Sequence, residues 1–359
     1  MSADFVTVEP IILEARKRLD QGAWDFLVGG SESETTFRRN RSAFDRLAFR
    51  PRVLRGVSAV DPSTTFLGHH LRIPVLAAPI GSLQRFTPGG GTAAVAAAAE
   101  FGVVPVISSA TEPLLEETAA SADAVKMFQL YIRGDLEWTR QMIGRIEGAG
   151  YGAFVLTVDT AVPSRRERPL ISVGPATAPP RPAGEPNYQA QLTWESVDEI
   201  HGLTSLPFMI KGIQTAADAA LAVEHGADVV WVSNHGGRQL DHARGSMDTL
   251  PEIVAAAGGR AEIVVDGGVH RGSDILKAIA LGANAVAIGR LQAWGLAAAG
   301  ADGFVRVLEI LEAEMQSAMG LLGVTTLDQL GPAYVGPSEP VTAPHEMSSW
   351  PNIPGGRIL

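Results

Sequence analysis

The sequence has no cysteine, which excludes disulfides, thiolate metal sites and cysteine nucleophiles together. Positive charge is in deficit: 29 basic residues stand against 39 acidic ones, a formal net charge of -10. Such a field repels nucleic acid and anionic membranes, so neither is expected as a partner. No basic segment followed by an apolar one opens the sequence; no secretory signal is expected, and the protein is read as cytoplasmic. Long apolar runs are also lacking. The most apolar stretch, residues 91–110, carries Glu100 and Pro105 and reads as a helix followed by a strand, not a membrane span. Lysine is scarce, with four residues in 359.

What is present is the composition of a globular chain, 46% hydrophobic and 19% charged, with one large domain as the simplest organisation. Short β-branched runs recur at residues 75–78, 104–108, 124–130, 153–159, 208–212, 229–234, 262–267 and 285–290. Ala-rich or amphipathic stretches such as 93–101, 137–149, 216–225 and 273–281 separate them. Strand–helix alternation repeated eight times predicts an α/β fold closed into a (β/α)8 TIM barrel over residues 71–330. Residues 1–70 are expected to form an N-terminal helical extension of two short helices and a covering segment. The Pro-, Ala- and Gly-rich stretch 166–191 has no period and reads as a mobile loop over the site. Residues 331–359 read as an extended C-terminal tail, free to dock on a neighbouring subunit.

Polar residues gather at the C-terminal ends of the strands, the rim where βα loops converge in such barrels. Ser108, Gln129, Tyr131, Thr157, Asp159, Lys211, Ser233, His235, Asp266 and Arg290 all fall there. Approach to solvent explains some of them, but not a lysine, a histidine, two aspartates and an arginine on one rim. After the last two strands come Asp266-Gly-Gly-Val-His-Arg-Gly272 and Ile288-Gly-Arg290. Glycine backbone at a helix N-terminus, with an arginine beside it, predicts a phosphate site. After the sixth strand comes Ser233-Asn-His-Gly-Gly-Arg-Gln-Leu-Asp241. His235 is a candidate base there, Asp159 its carboxylate partner, and Arg166 with Arg238 a forked grip on a carboxylate. Lys211 ends an apolar strand and must pair with an anion or work with a lowered pKa. That leaves two functions open: stabilising a reduced cofactor ring, or forming a Schiff base in a lyase or isomerase.

The motif 233–241 resembles the signature of the FMN-dependent α-hydroxy-acid oxidases and dehydrogenases, the family of glycolate oxidase, lactate oxidase and mandelate dehydrogenase. The resemblance extends to Phe49-Arg-Pro-Arg-Val-Leu-Arg-Gly-Val57, Ala78-Pro79, Phe128-Gln-Leu-Tyr131, Leu156-Thr-Val-Asp-Thr160, Lys211-Gly212, Asp266-Gly-Gly268 and Gly289-Arg290. It implies FMN as cofactor and oxidation of a small 2-hydroxy acid to the 2-oxo acid, with oxygen or another electron acceptor closing the cycle. It implies His235 as base with Asp159 behind it, Tyr131 on the substrate hydroxyl, and Arg166 and Arg238 on its carboxylate. Lys211 would lie at the flavin pyrimidine, Ser108, Gln129 and Thr157 at the ring, and Asp266 at the ribityl chain. Gly289 and Arg290 would hold the phosphate, with Ala78, Pro79, Ser233, Gly267 and Gly268 completing the cofactor bed. Members are commonly tetramers, so a homotetramer is expected.

The chain departs from the family pattern at several points. Trp24-Asp25-Phe26 stands where many members carry a tyrosine pair, which removes a hydroxyl donor for the carboxylate. Ala110 replaces a tryptophan, and Gly81 stands where many oxidases have alanine. His270 stands at a family arginine on the phosphate loop, with Arg271 next to it as a candidate substitute. Phe26, Ala110 and Gly81 together predict a roomier pocket for a bulky, aryl acid of mandelate type. The lost donor also admits a masked or carrier-bound 2-hydroxy acyl substrate.

Overall fold

The structure is a computed structural model describing residues 5–341 except 175–185, together with 343, 345 and 347–353. Eight parallel strands close into a barrel in chain order: Val75–Ala77, Val104–Ser108, Met127–Leu130, Phe154–Thr157, Phe208–Ile213, Val229–Val232, Glu262–Asp266 and Ala285–Ile288. The eighth pairs with the first, Val286 facing Val75, which closes the ring. Both faces of every strand must be apolar, since helices cover one face and the barrel interior fills the other. Residues of alternating parity therefore fall into two clusters: Val104, Val106, Val229 and Trp231 fill the interior, while Ile107, Val230 and Val232 pack under the helices.

The period of two carries each strand's inward series to a polar third layer. Above Leu76, Val106, Met127, Val155, Met209, Trp231 and Val264 come Ala78, Ser108, Gln129, Thr157, Lys211, Ser233 and Asp266. The opposite mouth is shut by the hairpin Thr64–Phe66 and His69–Leu71, whose Phe66 and Leu71 join the interior cluster.

The N-terminal extension holds three helices, Val8–Arg18, Gln21–Val28 and Thr35–Asp45, one more than the sequence predicts. The third buries Thr36, Phe37, Asn40, Arg41 and Phe44 on one face, a helical stripe that includes three polar residues. The stretch 166–191 is not aperiodic throughout. Glu167–Ser172 is a helix packed on Gln21–Val28, and Tyr188–Gln191 a 3-10 turn, whereas 175–185 lie outside the described residues. Pro169 does not break that helix because it sits in the first turn, where no N–H is required.

The tail is likewise more structured than its prolines suggest. Val335–Pro337 pairs antiparallel with Leu47–Phe49, and Met347, Trp350 and Ile353 are buried in the main core. The described part of the tail docks on its own barrel, because these apolar side chains find their partners there. Residues 354–359 lie outside the described residues. No described helix is long and apolar enough to cross a membrane.

Candidate active site

A cavity of about 260 Å³ opens at the C-terminal rim. Ala78, Pro79, Gly81, Tyr131, Arg166, Lys211, His235, Arg238, Asp266, Gly267, Gly268, Gly289 and Arg290 all line it, as does Phe26. Asp159 stands behind His235. Ser108, Gln129, Thr157 and Ser233 are fully buried at the strand ends beneath.

His235 sits on a left-handed turn, with φ of 59° followed by 65° and 75° at Gly236 and Gly237. Gly237 is required twice over, since a Cβ there would meet the backbone of Phe37 at 2.6 Å. The turn is pinned from the N-terminal extension. Asn40 and Asn234 exchange side-chain hydrogen bonds of 2.9 and 2.7 Å, and Asn234 Oδ1 accepts from the Gly237 amide at 3.1 Å. Asp241 accepts from the Thr36 amide at 2.7 Å and the Ser33 hydroxyl at 2.7 Å.

His235 Nδ1 lies 3.0 and 3.2 Å from the two carboxylate oxygens of Asp159. An ionised carboxylate only accepts, so Nδ1 carries the proton and Nε2 keeps a free lone pair. Burial would favour a protonated Asp159, yet His235 and Lys211 hold its pKa below the ordinary value. Burial also lowers the His235 pKa, against the pull of Asp159, which leaves the imidazole neutral and able to take a proton. The carboxylate comes this close because Gly212 has φ of 117° and no side chain: a Cβ there would lie 2.7 Å from Asp159 Cβ. The strand is irregular at this point, its register shifting between Lys211 and Ile213.

Lys211 is 4% exposed and donates to Ser233 Oγ at 2.9 Å, with Asp266 Oδ2 at 3.4 Å. Burial opposes its charge, but Asp266 and Asp159 outweigh it and raise the pKa. A lysine held as a cation is not the neutral amine that a Schiff base requires, so the lyase reading loses its nucleophile. Trp231 donates to Asp266 Oδ2 at 3.0 Å, fixing the carboxylate from below.

Tyr131 is held as a neutral phenol, because burial raises its pKa. Arg238 donates to the carbonyls of Phe26 and Gly29 at 2.6 and 3.0 Å, and Arg166 to Ser164 Oγ, Arg238 O and Gln239 Oε1. Neither guanidinium forms an ion pair among the described residues. Burial, Arg166 and Arg290 push the Arg238 pKa well below its ordinary value. Arginine stays charged in proteins all the same, so this cluster calls for an anion.

The arrangement fits FMN on its own chemistry. Gln129 takes the Ser108 hydroxyl on Oε1 at 2.7 Å, while its Nε2 and the Thr157 hydroxyl are buried with no partner among the described residues. Two such atoms in one polar layer are costly unless a polar ring meets them. At the other end, Gly267 and Gly268 have φ of 93° and 89°. A Cβ on Gly268 would lie 2.7 Å from Asn40 O, so these glycines serve the approach of the N-terminal helix as well as of a ligand. Arg41 bonds Asp274 at 2.6 and 2.9 Å and the Gly268 carbonyl at 2.8 Å, holding the loop from beneath.

Arg271 does not take the place of the missing phosphate-loop arginine. Its guanidinium turns outward to Glu314 at 2.7 Å and the Ser349 carbonyl at 2.7 and 3.1 Å, because that carboxylate and the tail offer acceptors to all three of its nitrogens. His270 lines the cavity instead. Phe26 stacks on Phe86 with ring centroids 6.2 Å apart, and the guanidinium carbons of Arg238 and Arg85 each lie 4.9 Å from the Phe26 ring centroid. Gly81 and Ala110 face each other across the wall: a Cβ on the glycine would come 3.1 Å from that of Ala110.

A sequence profile of the FMN-dependent dehydrogenases matches residues 15–337. An L-lactate oxidase from Nostoc sp. is 40% identical, over 89% of this chain and 95% of that protein. A peroxisomal (S)-2-hydroxyacid oxidase from Arabidopsis thaliana is 39% identical, over 88% of this chain and 92% of its own length. A crystal structure of mandelate oxidase with (S)-2-phenylpropionate superposes with a TM-score of 0.86 at 39% identity, covering 94% of this chain and all of the other.

Proposed function

The chain belongs to the FMN-dependent dehydrogenase family and is an FMN-dependent 2-hydroxy-acid oxidoreductase; from that premise we propose that it oxidises a bulky, aryl 2-hydroxy acid to its 2-oxo acid, with His235 as base. The observation that carries this reading is the neutral His235 Nε2 facing a cavity lined by Arg166 and Arg238, whose two guanidiniums form no ion pair among the described residues. Arg166 and Arg238 would hold the substrate carboxylate in a charge-assisted grip. Tyr131 would donate to the hydroxyl oxygen and keep it oriented. His235 Nε2 would accept the hydroxyl proton as the carbonyl forms, and Asp159 would stabilise the resulting imidazolium. When bound, FMN supplies the acceptor for the hydride leaving the α-carbon. Lys211 would place a fixed positive charge beside the reduced ring, and Gln129 and Thr157 would donate to it.

The stacked pair Phe26 and Phe86, with Leu27 and Ile80 beside it, offers an aromatic side chain an apolar wall, and Gly81 with Ala110 leaves it room. A free acid is favoured over a masked or carrier-bound acyl group by the two guanidiniums, which an ester would leave unmatched. The relatives are named as oxidases, which supports oxygen as the electron acceptor. A cytoplasmic homotetramer completes the proposal. Val53 and Leu54, 78% and 101% exposed, supply an apolar face for contact between copies, and light scattering reads the assembly.

An anaerobic screen of 2-hydroxy acids by flavin bleaching tests the substrate. Mandelate-type acids should reduce the enzyme faster than lactate or glycolate, and the reverse order refutes the aryl assignment. Readmitting oxygen should then reoxidise the flavin promptly. His235→Ala should retain FMN and lose flavin reduction by about 10²–10⁴-fold, the usual scale of a general base. Near-normal reduction in that variant rules His235 out.

A further inference from the structure

His270 is 4% exposed, lines the cavity with Arg290, and belongs to the glycine loop after the seventh strand. Its main chain is fixed, the amide donating to Asp274 Oδ2 at 3.0 Å. Its side chain is held by the tail. Nδ1 lies 3.1 Å from Ser349 Oγ, and the ring stacks on Trp350 with centroids 4.3 Å apart. Trp350 is fully buried and meets Trp294 edge-on at 5.4 Å. Arg271 grips the Ser349 carbonyl, and Asn352 donates to Glu9 at 3.2 Å. The tail is therefore tied down on both sides of the contact.

A neutral imidazole has one donor and one acceptor nitrogen. Burial and the nearby Arg41 guanidinium hold the His270 pKa well below the ordinary histidine value, so the ring is neutral. With Nδ1 engaged by Ser349, the nitrogen left for a ligand in the cavity is Nε2. An anion there accepts and does not donate, which requires the proton on Nε2 and makes the Ser349 hydroxyl the donor to Nδ1. Without that hydroxyl, Nδ1 would be buried and unsatisfied, and the tautomer that serves an anion would lose its support.

We propose that residues 347–353 form a clasp on the cofactor phosphate: Ser349 and Trp350 set the tautomer and orientation of His270, which then donates from Nε2 to a phosphate monoester held at the loops after the seventh and eighth strands. Ser349 and Trp350 are positioning residues, and His270 is the contact. The proposal rests on FMN being bound with its phosphate at that end.

The test is titration of the apoprotein with FMN and, separately, with riboflavin, which lacks the phosphate, each followed by flavin fluorescence. Ser349→Ala should weaken FMN about tenfold, the scale of one hydrogen bond to a charged group, and leave riboflavin affinity unchanged. His270→Ala should weaken FMN at least as much, the double variant no further, and Ser349→Thr should restore tight binding. The clasp is overturned if Ser349→Ala binds FMN within twofold of the parent, if it loses FMN and riboflavin equally, or if the two substitutions add. A parent protein binding riboflavin as tightly as FMN would overturn the phosphate site itself. Thermal unfolding of each apoprotein separates loss of the contact from loss of the fold.

Discussion

At the scale of single residues, the site depends on which groups are charged. The lowered His235 pKa means that the base is free over the neutral range and is lost only as pH falls through a value below the ordinary histidine pKa of about 6.5. Anaerobic flavin reduction should therefore show an acid limb below that point. Asp159 raises the proton affinity of His235, so Asp159→Asn should move the limb to still lower pH while cutting the plateau rate by about 10²–10⁴-fold. A limb that moves upward would contradict the pairing. His235, Asp159 and Lys211 can be picked out in the sequence because strand-end polar residues in a barrel converge whatever the loops do. His270 and Arg271 cannot be told apart that way. Neighbouring loop residues point in different directions, and only Glu314 and Ser349 decide which side chain turns outward.

At the scale of elements, the helix Thr35–Asp45 serves two site loops. Asn40 holds the histidine turn and Arg41 the glycine loop. Arg41 and Asp274 are 3% and 2% exposed, and a buried pair is costly to break because the survivor keeps its charge without a partner. Arg41→Ala should lose about 3–5 kcal/mol of stability in urea titrations at neutral pH. The Asp274 pKa is lowered in the folded protein, with burial opposing and Arg41 prevailing. The pair's stabilisation is therefore complete above the ordinary carboxylate pKa and fades as pH falls through the folded value. The gap between parent and variant should narrow on that acid side. A gap that widens there would refute the linkage. The strands are legible from β-branched runs because burial on both faces leaves them little alternative. The bonds from Asn40 and Arg41 are not, since they join positions about 200 residues apart, and the only local hint is that polar Thr36, Asn40 and Arg41 share a helix face with Phe37 and Phe44.

At the scale of the whole molecule, the cofactor completes the interior. The polar layer, whose Gln129 Nε2 and Thr157 hydroxyl have no partner among the described residues, and the buried guanidiniums of Arg166 and Arg238 mark the apoprotein as the less stable state. Binding that favours the folded form stabilises it by mass action, about 2.7 kcal/mol at a hundredfold excess over Kd. Stripping FMN should lower the unfolding temperature, and adding it back should raise the temperature with the logarithm of its concentration. An unfolding temperature indifferent to FMN would argue that the layer is satisfied without it.

The pairing of Leu47–Phe49 with Val335–Pro337, and the reach of Asn352 to Glu9, also bear on synthesis. A chain emerging from the ribosome has its first helices in hand long before the segment that seats on them, so the early part must wait with apolar surface uncovered. Chaperone demand should be greatest in that interval, and a stalled chain lacking residues 335–353 should stay soluble less well than the released protein.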